Sequence, residues 1–179
     1  MSRRPQVVHT AELGTDVLDA CRALLDEAFE GDFDDHDWEH SLGGIHALVW
    51  EGYELVAHAA VVQRRMLHRG RALRCGYVEG VGVAPEHQRR GHGGVVMTAL
   101  ERVIHGAYDL GALGATDPGM PFYRARGWQA WRGPLGSLTP RGIVPSADES
   151  GFVLVLPTDG AQLDLDGELV CDWRDGDVW

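Results

Sequence analysis

The stretch that most constrains this chain is Tyr77–Gly94, which reads YVEGVGVAPEHQRRGHGG. Tyr77, Val78, Val81 and Val83 favour extended backbone. Gly80 and Gly82 inside that run predict a bulge or a close backbone approach, and Pro85 ends the pairing. Gln88–Gly94 follows, and Val95–Ile104 then reads as a helix. A strand, a glycine-rich loop and a helix in that order put the N–H groups and positive dipole end of a helix behind small residues. A pyrophosphate can come close to such an end.

The spacing narrows the kind of phosphate loop. It is not the Walker pattern, because no GK[ST] follows and the chain contains no lysine. It is not the dinucleotide fingerprint either, since Gly91 and Gly93 are followed by Gly94 and Val95 rather than by a glycine at the last position. The pattern is Q-x-x-G-x-G after an interrupted strand, and it resembles the acyl-CoA-binding signature of the GNAT N-acetyltransferase superfamily. Downstream, Phe122-Tyr123-Arg124-Ala125-Arg126-Gly127-Trp128 resembles that superfamily's second signature, an aromatic-Tyr-x-x-x-Gly-aromatic turn.

Bulk properties set limits around these motifs. The 179 residues suffice for one domain with a core. No apolar run is long enough to cross a bilayer, and the opening MSRRPQVVHT lacks the apolar centre of a signal peptide, so a cytoplasmic protein is expected. A net charge of -11 disfavours nucleic acid and anionic membranes as partners and favours a cationic one. Cys21, Cys75 and Cys171 are odd in number and have no CxxC spacing, which predicts buried free thiols.

Taken in order, Val7–Thr10 reads as a first strand. Leu13–Phe29 reads as a helix, with apolar residues at helical spacing and Thr15-Asp16 as its N-cap. Gly31–His40 is dense in carboxylates, around Phe33 and Trp38. It is either a solvated, capped turn or a collar for a polycation. His36 and His40 are four apart, but no third ligand is apparent in the sequence and HExxH is absent, so no metal is expected. Ile45–Trp50 and Leu55–Leu67 read as a hairpin around Glu51–Glu54, and Leu73–Val83 as the next strand. Tyr108–Leu113 should run parallel to the Tyr77 strand, since a helix joins them. Pro121–Arg126 reads as a short helix ended by Gly127. Trp128–Trp131 and Leu135–Thr139 read as short strands, Pro140–Gly151 as a loop, and Gly151–Pro157 as a strand. The tail is rich in aspartate against a single arginine, Arg174. Yet Leu169, Val170, Cys171, Trp173, Val178 and Trp179 are too apolar for a solvated end, so it is expected to pack back on the domain.

FEGDFDDHDWEHSLGGIHALVW, RALRCGYVEGVGV and the ending CDWRDGDVW make the resemblance closer than the superfamily. Over nearly its whole length the chain resembles the aminoglycoside 2′-N-acetyltransferases. That resemblance implies an α/β (α+β, GNAT-like) fold, with a mixed, mostly antiparallel central sheet splayed between the fourth and fifth strands and helices on both faces. It also implies one acetyltransferase domain over residues 1–179, with its tail near the active site. Acetyl-CoA would be the co-substrate. Val81, Gly82 and Val83 would bind the pantetheine arm, and the amides of Gln88, Arg89, Arg90, Gly91, His92, Gly93 and Gly94 the pyrophosphate. The aminoglycoside would lie against Asp32, Asp37, Glu79, Gly80, Gly114, Asp148, Glu149, Asp177 and Trp179.

The implied reaction, a route to antibiotic resistance, is direct acetyl transfer to the 2′-amine in a ternary complex. Glu79 would be the base through water, with the Trp179 α-carboxylate as alternative or assistant. Tyr123 would be the acid that protonates the leaving thiolate. The resemblance further implies a homodimer. Two other readings remain open at this point: a GNAT enzyme for another amine (a cell-wall amino sugar, a polyamine or a protein N-terminus), or an acyl-CoA-binding sensor without catalysis.

Overall fold

The computed structural model describes residues 4–179; the first three residues of the opening stretch read above lie outside it. The chain is α/β, and it divides into two compact units. One takes the residues up to Val62 together with Val78–Val103, and the other takes Gln63–Tyr77 with Ile104–Trp179.

In the first unit, β1 (Gln6–His9) pairs antiparallel with β2 (Ile45–Glu51), and β2 pairs antiparallel with β3 (Glu54–His68). Gly52, at φ +64°, sits in the tight turn between β2 and β3. Helix α1 (Thr15–Ala28) buries Cys21, Leu24 and Leu25 against Phe33, Leu48, Leu55 and Ala84. Each large aliphatic side chain removed from water this way is worth roughly 1.5–3 kcal/mol. The N-cap of α1 is Gly14, without a side-chain cap, rather than Thr15-Asp16. Asp16 stands inside the first turn, where its charge suits the dipole without closing a cap.

Strand β4 (Arg71–Val83) follows β3 through Arg69 and Gly70. Both turn residues have positive φ, +49° and +73°, as the tight turns matched to strand twist require. Helix α3 (His92–Ala107) follows β4. The short α2 (Asp35–His40) lies in the acidic stretch, and α4 (Met120–Arg124) in the second motif.

In the second unit, β5 (Leu110–Gly114) runs parallel to β4 through the pairs Cys75–Leu110, Gly76–Gly111 and Tyr77–Ala112. β4 then continues beyond that ladder to Val83. β9 (Val153–Pro157) pairs antiparallel with β5 and with β6 (Gln129–Ala130). Residues 140–151, read as loop, contain β8 (Gly142–Pro145), a hairpin partner of β7 (Leu135–Thr139). Pro145 is tolerated because β8 is an edge strand with no ladder to feed on its outer side.

The tail supplies β10 (Leu169–Cys171), antiparallel to Met66–Leu67 of β3 and parallel to β7. The turn before it is held by His68, whose Nδ1 donates to the Glu168 carbonyl at 2.8 Å while its Nε2 accepts from the Asp164 N–H at 3.2 Å. Trp131 Nε1 donates to the Gly167 carbonyl at 3.0 Å. Gly133 packs so closely on that turn that a Cβ there would sit 2.0 Å from the Gly167 oxygen. No helix among the described residues is long and apolar enough to cross a membrane.

Candidate active site

The first unit carries Asp32, Asp37, the strand residues Glu79–Val83 and the loop Gln88–Gly94. Gly80 is the point where β4 leaves regular geometry. Its φ is +56°, which a side chain strains, and an added Cβ would come within 3.0 Å of the Ser41 hydroxyl. Gly82 has another cause. A Cβ there would lie 2.8 Å from Leu25 and 3.2 Å from Leu24, so helix α1 rests on bare backbone at that position. Glu79, Gly80, Val81 and Val83 are half-buried, and Gly82 is buried.

A buried chain of hydrogen bonds fixes the Gly80 kink. His58 Nδ1 lies 2.7 Å from the Gly80 carbonyl, His46 Nδ1 lies 2.9 Å from His58 Nε2, and the Thr10 hydroxyl lies 2.7 Å from His46 Nε2. Burial lowers the His58 pKa to about 3, against the opposing pull of the Gly80 carbonyl and with help from His46. Burial, with a smaller contribution from His9, lowers His46 to about 4. Both rings are therefore neutral near pH 7, and one set of proton positions satisfies every atom. The Gly80 oxygen can only accept, so His58 donates from Nδ1 and accepts at Nε2. His46 then donates from Nδ1 and accepts from Thr10. Sequence reading missed these three residues. His46 and His58 stand in apolar strands as isolated polar residues, and that was the only signal available.

In the loop, Arg89 and Gly91 take positive φ, +57° and +87°, turning the chain into α3. The Val95 N–H bonds to the Gly91 carbonyl, so the amides of residues 92–94 precede the first helical rung and point out of the N-terminus. Arg89 and Arg90 are exposed, whereas His92 is buried. The Gln88 side chain turns back to the Val83 carbonyl at 3.4 Å. In the acidic stretch, Asp34 and Asp37 form the capping box of α2, each accepting from the other's N–H at 2.9 Å. One oxygen of Asp37 is thus committed to the helix end, while Asp32 is exposed.

The second unit carries Gly114, Tyr123, Asp148, Glu149, Asp177 and Trp179. A Cβ on Gly114 would lie 3.6 Å from both the Trp179 carbonyl oxygen and the Tyr77 hydroxyl, so the chain end and β5 are in contact there. Trp179 is buried. Tyr123 is half-buried beside Trp128, and desolvation pushes its phenol up to about 12, so it is a protonated donor at neutral pH.

Glu149 lies near Asp177 and Asp148. Desolvation, then those two charges, raise its pKa. The acids of the tail are less available than a sequence with one nearby arginine implies. Asp164 pairs with Arg69, Asp166 with Arg132 at 2.7 Å, and Asp172 with the buried Arg64 at 2.7 Å. Their partners lie 34 to 108 residues away. A pocket of about 350 Å³ lined by Arg71, Arg74, His105, Tyr108, Asp109 and Thr158 contains none of the predicted site residues.

The three cysteines are free and buried. Burial raises all three thiols, Cys21 to about 12 and Cys171 to about 11, so none is poised as a nucleophile.

Comparison with known proteins adds to this geometry. The acetyltransferase (GNAT) domain family matches residues 10–131. An aminoglycoside 2′-N-acetyltransferase of Mycolicibacterium fortuitum is 51% identical over 178 residues, covering 97% of this chain and 91% of that protein. Among solved structures, a GNAT family N-acetyltransferase of Escherichia coli in complex with CoA superposes with a TM-score of 0.66 at 17% identity, over 98% of this chain and 92% of that one. A GNAT family acetyltransferase of Brucella melitensis in complex with acetyl-CoA gives 0.61 at 15% identity, over 93% and 95%.

Proposed function

The chain belongs to the GNAT acetyltransferase family, and from that premise we propose that it transfers the acetyl group of acetyl-CoA to the 2′-amino group of an aminoglycoside. The observation that carries this reading is the near full-length likeness to an aminoglycoside 2′-N-acetyltransferase. The loop before α3 suits the pyrophosphate of the co-substrate, because its amides point out of a helix end and its glycines leave room.

Acetyl transfer then proceeds directly. The neutral amine attacks the thioester carbonyl, its nitrogen loses a proton, and the carbon–sulfur bond breaks to release a thiolate that takes up a proton. Glu79, half-buried beside the Gly80 kink, is the base through a water molecule. The Trp179 α-carboxylate is the alternative or assisting base. Tyr123 is the acid, and its high pKa keeps the proton in place until the thiolate forms. The kink aims backbone N–H groups of Val81–Val83 at the acetyl carbonyl and the pantetheine arm. Asp32, Asp37, Asp148, Glu149 and Asp177 supply negative charge for the drug's ammonium groups. With Glu79, Gly80, Gly114 and Trp179 they make up the substrate-binding set.

The chain acts as a single catalytic domain in the cytoplasm, without nucleic acid or membrane as a partner, and confers resistance to the drug it modifies. It assembles as a homodimer. The exposed Leu138, Ile143 and Val144 of the β7–β8 hairpin support self-association.

A thiol-release assay with acetyl-CoA tests the reading. The panel holds an aminoglycoside with a free 2′-amine, one with a 2′-hydroxyl in its place, glucosamine-type sugars and spermidine. Turnover confined to the free 2′-amine is the expected result. Turnover mainly with the sugars or spermidine would overturn the assigned substrate.

A further inference from the structure

Glu51 ends β2, and His87 and His92 bracket the segment Gln88–Gly91 that leads into α3. Folding brings these three side chains together. His87 Nδ1 lies 3.5 Å from one Glu51 oxygen and His92 Nε2 lies 3.4 Å from the other. One donor atom from each residue falls within 4.8 Å of those of the other two. The His92 side chain is 0% exposed and that of His87 11%. His87 Nδ1 is buried and makes no hydrogen bond among the described residues, a condition that ordinarily costs about 1–3 kcal/mol.

We infer that Glu51, His87 and His92 form a binding site for a divalent transition-metal ion of the zinc type. The distances carry the argument. A charge-assisted N–H···O pair closes to about 2.7–2.9 Å, whereas neighbouring donors around a tetrahedral ion with bonds of about 2.0–2.1 Å stand roughly 3.3–3.4 Å apart. The observed separations, 3.5 and 3.4 Å to the two oxygens of the one carboxylate, lie much nearer the second spacing and suit a carboxylate that presents both oxygens to the ion. Two imidazoles and one carboxylate are a donor set for zinc, nickel or cobalt rather than for magnesium or calcium. Glu54 lies 3.7 Å from His87 Nε2. That is beyond hydrogen-bond distance, and an approach of about half an ångström would let Glu54 accept the Nε2 proton and leave Nδ1 as the ligand atom, an arrangement common behind metal-bound histidines.

A bound ion would tie both ends of the segment 88–91 to the end of β2. Sequence reading did not find this site because Glu51 is 36 positions from His87, although the four residues between His87 and His92 fall within the spacing of zinc-binding histidine pairs. The pair that does have helical spacing, His36 and His40, stacks at 6.4 Å between ring centroids and belongs to neither group of side chains close enough to share an ion.

The test titrates the full chain, stripped with a chelator, with Zn²⁺ by calorimetry and with Co²⁺ by visible absorption. The expected result is one ion per chain with a dissociation constant of about 10 μM or tighter, the d–d absorption of a four-coordinate cobalt ion, and a raised Tm on zinc loading. Glu51→Gln and His87→Gln should each weaken binding at least tenfold, while His36→Gln leaves it unchanged. His92→Asn changes a fully buried position, so His87→Gln at the edge of the cluster is the deciding variant. No binding at about 100 μM metal would overturn the inference. So would binding that survives both Glu51→Gln and His87→Gln, or that is lost with His36→Gln.

Discussion

The buried pair His46–His58 makes stability depend on pH within a range where most proteins are indifferent. In the unfolded chain both rings titrate near 6.5. In the folded chain they titrate at about 4 and about 3. As pH falls below 6.5 the unfolded chain takes up two protons that the folded chain refuses. Their contribution is therefore full above the unfolded pKa and is lost progressively down to the folded values. Each ring contributes a slope of about 1.4 kcal/mol per pH unit in that window, so the pair loses about 4 kcal/mol between pH 7 and pH 5. Glu149 works the other way, since its raised pKa favours the folded chain at lower pH, and as a single half-buried group it offsets only part. Against a usual total of about 5–15 kcal/mol, the loss is large. Urea unfolding at pH 7, 6 and 5, in the presence of a chelator, measures it. His58→Gln, which cannot take up a proton, should remove about half of the slope. A stability flat to within about 1 kcal/mol from pH 7 to 5 would refute the assignment of two neutral buried imidazoles.

Other outcomes follow from single sites. Tyr123→Phe should lower kcat about a hundredfold while leaving the aminoglycoside KM nearly unchanged, measured by steady-state thiol release; a normal kcat would remove Tyr123 from the acid role. Glu79→Gln should abolish the acid limb of the kcat/KM profile against pH, and an unaltered profile would assign the base elsewhere. Gly133→Ala forces a methyl into the Gly167 carbonyl and should cost about 2–4 kcal/mol, read as a lowered urea midpoint. A neutral result would mean that the 164–168 turn yields without effect on the core.

Local chemistry made much of the fold legible in the sequence. Apolar periodicity marked α1, the β2–β3 hairpin and α3, and the helix between β4 and β5 correctly implied their parallel pairing. The β8 strand was hidden because Pro140, Gly142 and Pro145 are also loop residues, and only the facing β7 turns Gly142–Pro145 into a ladder. Gly82 read as a bulge or a close backbone approach, and the element that comes close is α1, whose residues are more than fifty positions earlier in the chain. The site residues were reached by resemblance to a family rather than by spacing. What spacing could not supply was the support behind them: Thr10, His46 and His58 under Gly80, and Arg64, Arg69 and Arg132 against the acids of the tail. These partners become neighbours only after the strands have paired.

The three sealed thiols have a practical consequence. Disulfide-exchange dyes react with thiolate, and each cysteine of the folded chain is both buried and shifted toward the protonated form. A dye that follows the free sulfhydryl of CoA should thus see almost no background from the folded protein itself. Once the chain opens, Cys21, Cys75 and Cys171 react together, and the same colour counts unfolded molecules at three equivalents each. One reagent in one cuvette can report turnover while the fold holds and loss of the fold when it does not.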